Sequence, residues 1–166
     1  NSGLSSEDVN IILDGDDWFS SYNVLSYLNE IYINDGSYMT YGTYIYHPHG
    51  KIGVEPSEYP EEIIKNNLFR KDKWRASHLR TFKHHLWQKL NMDDLKGDDG
   101  SYYHTAYDQA LMLPLLEMSS ERSTYVDKIM HVYNRSNPLN VDKVKQQLQY
   151  KTSLEIREKQ PYERID

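Results

Sequence analysis

The sequence predicts an α/β domain in which helices flank a mixed sheet. A β-branched apolar run at 9–13 stops abruptly at an acidic, glycine-containing turn, which is typical of a buried strand that ends in a loop. Residues 21–32 then carry apolar side chains at helical spacing, and residues 38–46 are rich in aromatic and β-branched side chains. The order strand, helix, strand indicates a layered domain with a partly parallel sheet.

Two further helices and a last strand are predicted beyond this unit. Apolar residues recur at helical spacing over 77–90 and over 103–118, and Pro114 is expected to kink the second helix. The run 125–133 predicts a last, short strand. Strands and helices therefore alternate over most of the chain.

The remaining segments are polar. Residues 51–73 contain two prolines and many charges, which predicts a surface excursion with a short helix over 61–67. Residues 93–100 predict an acidic loop. We place residues 1–145 in one domain, and we expect residues 146–166 to form a charged tail that is helical or loosely held.

Composition limits the classes of function. The 166 residues are 38% hydrophobic and include fifteen tyrosines, which is enough apolar surface for one folded core. The formal net charge of −6 argues against nucleic-acid binding, because affinity for a phosphate backbone depends on clustered lysine and arginine. An acidic protein that binds a phosphorylated ligand needs a metal ion or a local basic patch.

The sequence also bears on cellular location. It contains no cysteine, so disulfides and thiolate metal sites are excluded. No apolar run approaches the roughly 20 residues that span a bilayer, and the first residues lack the plan of a signal peptide. We therefore expect a cytoplasmic protein with no transmembrane segment.

The strongest candidate site is the acidic motif after the first strand. Asp14, Asp16 and Asp17 lie at the C-terminal end of a predicted buried strand, where α/β sheets place ligand sites. Carboxylates this close repel one another unless a cation or backbone donors neutralise them, and oxygen ligands suit Mg²⁺ or Mn²⁺. A solvated turn or a helix N-cap is the alternative. An EF-hand loop is excluded because its twelfth position, counted from Asp14, is Leu25.

Two weaker candidates lie further along the chain. Asp108 stands beside the apolar face of the predicted helix 103–118, where a partly desolvated carboxylate suits a general base, although an isolated helical aspartate is more often structural. His78 and Arg80 belong to a basic and aromatic segment at the predicted start of another helix, a place to meet phosphate or sugar. Exposed basic residues at a capped helix are the alternative there.

Taken together, four segments resemble family 2 glycosyltransferases of the GT-A fold, and the likeness spans roughly residues 8–145. The segments are 11–18, 77–82, the Asp108 helix and 132–138. The resemblance implies a Rossmann-like mixed sheet and a metal-dependent transfer from a nucleotide-diphosphate sugar. Family members place a nucleotide-binding unit before the acidic motif, and only about eight residues precede that strand here. The resemblance therefore implies a partial domain without its N-terminal half.

The resemblance also assigns roles to individual residues. It implies that Mn²⁺ or Mg²⁺ is held by Asp14 and Asp16, with Asn137 in the place of a histidine that completes the metal site in many members. His131 is close enough in sequence to be considered for that place. The donor is expected to be bound by Asp14, Asp17, Arg80 and His78.

The catalytic base implied by the resemblance is Asp108, which would deprotonate an acceptor hydroxyl for direct displacement with inversion. Tyr107 stands where a second acidic residue is expected, so that Asp98 and Asp99 remain alternatives for the base. The acceptor is a saccharide, a protein or a lipid. A non-catalytic carbohydrate-binding or interaction module, with tyrosines as stacking platforms, is the competing function, and a metal-dependent phosphohydrolase ranks last because no ordered motif supports it.

Overall fold

The computed structural model of the chain describes residues 3–53, 56–138 and 146–165. Over these residues the protein forms a five-stranded mixed sheet with helices packed against it. In chain order the strands are β1 (Val9–Ile12), β2 (Trp18–Phe19), β3 (Met39–His47), β4 (Arg80–Lys83) and β5 (Ser123–Asn134). The helices are α1 (Val24–Asn34), α2 (Glu61–Lys65), α3 (His84–Lys89), α4 (Tyr107–Ser119) and α5 (Gln146–Glu158). The predicted α/β class, a mixed sheet flanked by helices, is therefore confirmed.

The strand directions bring the acidic motif to a shared edge of the sheet. The strands lie in the order β1-β4-β3-β5-β2. β3 and β5 pair in parallel, whereas β4 is antiparallel to both β1 and β3. β1, β3 and β5 consequently run in the same direction, so that their C-terminal ends meet at one edge, where α/β sheets form ligand sites.

Buried side chains anchor helices to the sheet. The apolar side chains of α1 pack with side chains next to β4 and within β5, and this cluster consists of Val24, Leu28, Ile31, Leu79, Val126 and Met130. A larger cluster joins β3 to α3, α4 and α5, and its members include Met39, Tyr41, Leu86, Leu113, Leu116 and Ile156.

Among the described residues, no helix combines the length and apolarity needed to cross a membrane.

The predicted helix over 77–90 is wrong. Residues 80–83 form β4, which pairs with β1 on one side and β3 on the other, and only His84–Lys89 is helical. The apolar residues that suggested a helix, Leu79, Phe82, Leu86 and Leu90, are all buried, but they belong to two successive elements. Pairing with distant strands has overridden the local periodicity.

The start of α1 also differs from its prediction. The helix begins at Val24 instead of residue 21, because the preceding residues pair with β5. Trp18 and Phe19 form β2, and the N–H of Ser20 donates to the carbonyl of Met130 at 3.0 Å. The helices predicted over 61–67 and 103–118 are present with shifted ends, and α4 continues through Pro114.

Of the two alternatives for the C-terminal tail, the helical one is present as α5, and the described residues after it are bound to the core rather than loosely held. Ile156 in α5 is buried in the main core. The N–H of Tyr162 donates to the Glu117 carboxylate at 3.0 Å, and the N–H of Ile165 donates to the carbonyl of Met118 at 3.0 Å. The described part of the tail therefore packs against the core of the domain and covers buried groups of α4.

Replacing Gly42 by alanine is expected to destabilise the central strand pair by about 1–3 kcal/mol. A Cβ at this position would lie 2.6 Å from the carbonyl oxygen of Val126, in backbone that pairs β3 with β5. Gly15→Ala is the matched control, because a Cβ there meets nothing within 4 Å. Urea unfolding of both variants measures the difference, and equal stability of the two would contradict the close approach of the strands.

Candidate functional site

An open cavity of about 630 Å³ lies at the edge where β1, β3 and β5 end. Its wall includes Asp14 from the acidic motif, His78 from the segment before β4, Arg80 from the start of β4, and Asp108 from α4. Five aromatic side chains also line it, namely Tyr44, Tyr46, Trp74, Tyr107 and Tyr133. The structure thus brings together four side chains that the sequence singled out in separate segments.

Asp17 is held in one orientation behind this wall. Its side chain is only 2% exposed. One carboxylate oxygen accepts from Nε2 of His131 at 2.8 Å, and the other accepts from the N–H of Asn134 at 2.8 Å. Because both partners are in β5, the acidic loop is bound directly to β5, the strand that also pairs with β2.

His131 has a free lone pair as a result of this contact. In the tautomer whose Nε2–H donates to the Asp17 carboxylate, Nδ1 carries the lone pair. The residue is fully buried, and Nδ1 has no hydrogen-bond partner among the described residues. A histidine that donates one ring N–H to a carboxylate while its other nitrogen is free has the arrangement of a metal ligand.

His78 lies against His131. The two rings are stacked with centroids 4.4 Å apart and an angle of 20° between their planes. Nε2 of His78 is 3.3 Å from a guanidinium nitrogen of Arg80, which can only donate, so that Nδ1 carries the proton. Burial, and then the charge of Arg80, hold the pKa of His78 well below its usual value, and the ring is neutral at pH 7.

Asp17, His78 and His131 together can hold a metal ion. One potential ligand atom from each lies within 4.8 Å of the others. The unpartnered Nδ1 of buried His131 fits such a role, because a buried polar atom without a partner is costly unless something binds it. The lone pair of His78 is on Nε2, so a cation bound there would replace the hydrogen bond from Arg80.

The metal ligands implied by the resemblance are arranged differently. Asp16 is exposed, and its carboxylate accepts from the side-chain nitrogen of Asn137 at 2.8 Å. Asn137 thus lies beside the acidic motif as expected, but it presents a donor to Asp16. His131, which the sequence offered only as an alternative, is the buried histidine at this edge, and Asp17 rather than Asp14 or Asp16 contacts it.

Asp14 is partly buried beside two other carboxylates. Burial is the main cause that raises the pKa of its carboxyl; Arg80 acts in the opposite direction, and the neighbouring Asp17 and Asp16 raise it. Burial, followed by the nearby Asp14 and Asp108, likewise raises the pKa of the Tyr107 hydroxyl. A bound cation would offset the cost of burying these negative groups together.

Asp108 lies in the first turn of α4 and is bound by Arg80. A guanidinium nitrogen of Arg80 is 3.1 Å from one carboxylate oxygen of Asp108, whose side chain is 22% exposed. The same nitrogen contacts His78, while Nε of Arg80 donates to the carbonyl of Ala76 at 3.2 Å. Arg80 therefore connects the histidine pair to the candidate base.

The alternative bases lie elsewhere. Asp98 and Asp99 line a separate cavity together with residues of the 97–105 loop and α5. Asp99 accepts from the N–H of Ser101 at 2.9 Å and from its hydroxyl at 2.6 Å, which closes a local turn. The structure therefore does not bring either residue to the wall shared by Asp14 and Asp108.

The aromatic wall was missed by the sequence reasoning. Tyr44 packs edge-on against His78, with ring centroids 5.2 Å apart, and it also contacts Tyr133. Gly53 permits this position of Tyr44, because a Cβ on Gly53 would lie 2.0 Å from the ring. The available signal was the position of Tyr44 and Tyr133 near the C-terminal ends of two predicted strands, the edge that already carried the acidic motif.

Metal-free protein is expected to lose stability below about pH 6.5, by up to about 1.4 kcal/mol per pH unit. The depressed pKa of buried His78 means that the unfolded chain binds a proton that the folded chain does not bind. The stability that neutral His78 contributes is therefore fully present above the pKa of the histidine in the unfolded chain, and it is lost as the pH falls toward the pKa of the folded state. Urea unfolding with a chelator, at about pH 7.5 and about pH 5.5, should show a smaller loss for His78→Gln. Exposed His49→Gln should behave as wild type.

The wall of this cavity combines His78, which belongs to the group able to hold a cation, with a carboxylate fixed by an arginine and with aromatic rings. These are suited, respectively, to neutralising an anionic group, accepting a proton, and packing against the apolar face of a ring-shaped ligand.

No protein-family model matches the chain, and no match is found among curated proteins.

Proposed function

We propose that this chain is a metal-dependent glycosyltransferase that moves a sugar from a nucleotide-diphosphate donor to a hydroxyl acceptor, with inversion. One observation carries the proposal. Arg80 contacts both Asp108 and His78, and these residues line one open cavity at the C-terminal edge of the sheet, while Asp17 and His131 are buried behind His78. A sugar transferase that works by direct displacement needs a base for the acceptor hydroxyl and positive charge for the departing diphosphate.

The cation would be held by His78 and by Nδ1 of His131, with Asp17 orienting His131 through its other ring nitrogen and Asp14 adding negative charge nearby. Two imidazoles beside a carboxylate favour Mn²⁺ over Mg²⁺, which prefers oxygen ligands and water. When bound, the cation neutralises the charge that develops on the departing diphosphate. Arg80 supplies further positive charge to the same wall.

Asp108 would act as the base through the carboxylate oxygen that Arg80 does not bind. Arg80 holds the other oxygen at 3.1 Å and so fixes the rotation of the carboxylate. The free oxygen takes the proton of the acceptor hydroxyl as that hydroxyl attacks the anomeric carbon. The aromatic side chains, of which Trp74 and Tyr107 are examples, would position sugar rings by contact with their apolar faces.

A non-catalytic sugar-binding module is the second candidate. The five aromatic residues of the wall favour it, because stacking on rings does not require a metal or a base. The two functions differ in what they demand of Asp17 and His131. A module would bind sugar equally well when either residue is replaced.

Calorimetric titration of uridine and guanosine diphosphate sugars, with and without Mn²⁺, separates the two functions. We expect Mn²⁺-dependent donor binding by the wild type and roughly 10–100-fold weaker Mn²⁺ binding by His131→Gln, since a ligand to the cation is lost. His49→Gln is the control, because this histidine is exposed and does not line the cavity. Sugar binding that is independent of Mn²⁺ and unchanged in His131→Gln would instead identify a module.

A further inference from the structure

A second cavity lies at the opposite edge of the sheet. It occupies about 790 Å³ near the start of β1 and β3 and the end of β4. Four cationic side chains line it, namely Lys83, Lys89, Arg122 and Arg164, with Glu7 as the acidic member. This concentration of positive charge stands out in a chain whose formal net charge is −6.

The backbone of Tyr38 fixes the position of two of these cations. Its N–H donates to the carbonyl of Arg122 at 2.8 Å, and its carbonyl accepts from the N–H of Lys83 at 2.8 Å. The guanidinium carbon of Arg122 lies 4.5 Å from the centroid of the Tyr38 ring, and Nζ of Lys83 lies 5.7 Å from it. The Arg122 guanidinium also donates to the Tyr38 hydroxyl. Strand ends thus hold both cations beside one ring.

The positive charge of this cavity is only partly balanced. Lys83 binds Glu7 at 2.8 Å, and Arg164 lies 3.5 Å from Glu121. Over the described part of the chain, Lys89 and Arg122 have no carboxylate within salt-bridge distance. Like charges gathered in one place repel each other, and a bound anion relieves that repulsion.

We propose that this cavity binds the phosphate group of a phosphorylated ligand. The two unbalanced cations match the charge of nearly −2 that a phosphate monoester carries at neutral pH. The guanidinium of Arg122 presents N–H donors that can reach two phosphate oxygens, while Lys89 adds a point charge. A single carboxylate would leave one of the two positive charges unbalanced. The site is independent of the proposed transferase function, since it lies at the other edge of the sheet.

Inorganic phosphate is the first probe, titrated at low salt into the whole chain by calorimetry, with amide NMR shifts to locate the binding. We expect shifts at Tyr38 and Lys83, and roughly tenfold weaker binding by Arg122→Gln and by Lys89→Gln, since each loses a charge-assisted contact. Lys128→Gln is the matched control. Its ammonium also lies over a tyrosine ring, 4.0 Å from the centroid of Tyr27, but it is outside the cavity.

A second arm distinguishes the source of the phosphate. Vesicles of phosphatidylcholine with and without phosphatidic acid are sedimented with wild type and Arg122→Gln. Retention by the acidic vesicles alone, lost in Arg122→Gln, supports the site and identifies a lipid headgroup. Binding of free phosphate without vesicle retention supports the site and identifies a soluble ligand. Absence of both, or equal losses in Arg122→Gln and Lys128→Gln, overturns the proposal.

Discussion

Asp108→Asn is expected to lower the turnover of sugar transfer by about 10²–10⁴-fold, because it removes the group that takes the proton of the acceptor hydroxyl. The amide keeps the shape of the side chain and its acceptor oxygen, so the contact with Arg80 at 3.1 Å can persist without the ion pair. Binding of Mn²⁺ and of the donor should therefore change little. Initial rates and calorimetry on the same preparation separate the two effects.

Two matched variants test whether the effect is specific to Asp108. Asp98→Asn and Asp99→Asn make the same chemical change in the loop that lines a separate cavity, and both should retain turnover close to that of the wild type. If either loop variant loses turnover while Asp108→Asn keeps it, the base lies in the loop and the proposed geometry is wrong. Arg80→Gln should raise KM and lower kcat together, since Arg80 contacts both His78 and Asp108.

The part of the site that the sequence could predict is the part encoded locally. Asp14 and Asp17 follow a short apolar strand, and that pattern alone places carboxylates at the C-terminal edge of a sheet. Asp108 was identified from its position on an amphipathic segment, which α4 confirms as helical. Each of these inferences needed only a window of about 15 residues, within which periodicity is informative.

What the sequence could not predict depends on pairing between distant segments. His131 contacts Asp17 only because β2 pairs with the end of β5, 114 residues away from the acidic loop. His78 and Arg80 reach the cavity because residues 80–83 form a strand between β1 and β3, whereas their local periodicity indicated a helix. Strand pairing depends on the partner strand, and neither the partner nor the register can be deduced from the sequence of the segment alone.

The C-terminal tail is a second segment whose packing could not be predicted from its own residues. The charged and polar residues over 146–166 predicted a helical or loosely held tail, and they gave no sign that Arg157 donates to the carbonyls of Arg70 and Asp72 at 2.8 and 2.6 Å. Polar residues that satisfy buried backbone groups cannot be told from solvated ones by composition. The tail is therefore held in place by the backbone groups on which it packs.

The buried group beneath the tail is an ion pair between Arg70 and Glu117. Two guanidinium nitrogens donate to the two carboxylate oxygens at 2.6 and 2.9 Å, and the side chains are 6% and 0% exposed. A third nitrogen of Arg70 donates to the carbonyl of Ile156 at 2.6 Å, and the N–H of Tyr162 donates to Glu117 at 3.0 Å. The pair thus joins α4 to α5 and to the tail.

Glu117→Gln is expected to lower the free energy of unfolding by about 3–5 kcal/mol, because it leaves the charge of Arg70 buried without a counter-ion. Glu121→Gln is the matched control. It makes the same change in an exposed pair with Arg164, whose side chains are 70% and 46% exposed, and it should cost at most about 1 kcal/mol. Urea unfolding followed by circular dichroism measures both.

Removal of both charges tests whether the loss comes from the orphaned arginine. In the double variant Arg70→Met, Glu117→Gln no unpaired charge remains. Its loss of unfolding free energy should therefore be smaller than the sum of the two single losses by more than about 1 kcal/mol. Strict additivity would mean that the carboxylate acts mainly through its bond to the Tyr162 N–H. In that case Glu117→Gln should lower the free energy of unfolding far less than Glu117→Ala, because the glutamine amide oxygen can still accept from the Tyr162 N–H. That result would show that Glu117 stabilises the protein through hydrogen bonding rather than through its charge.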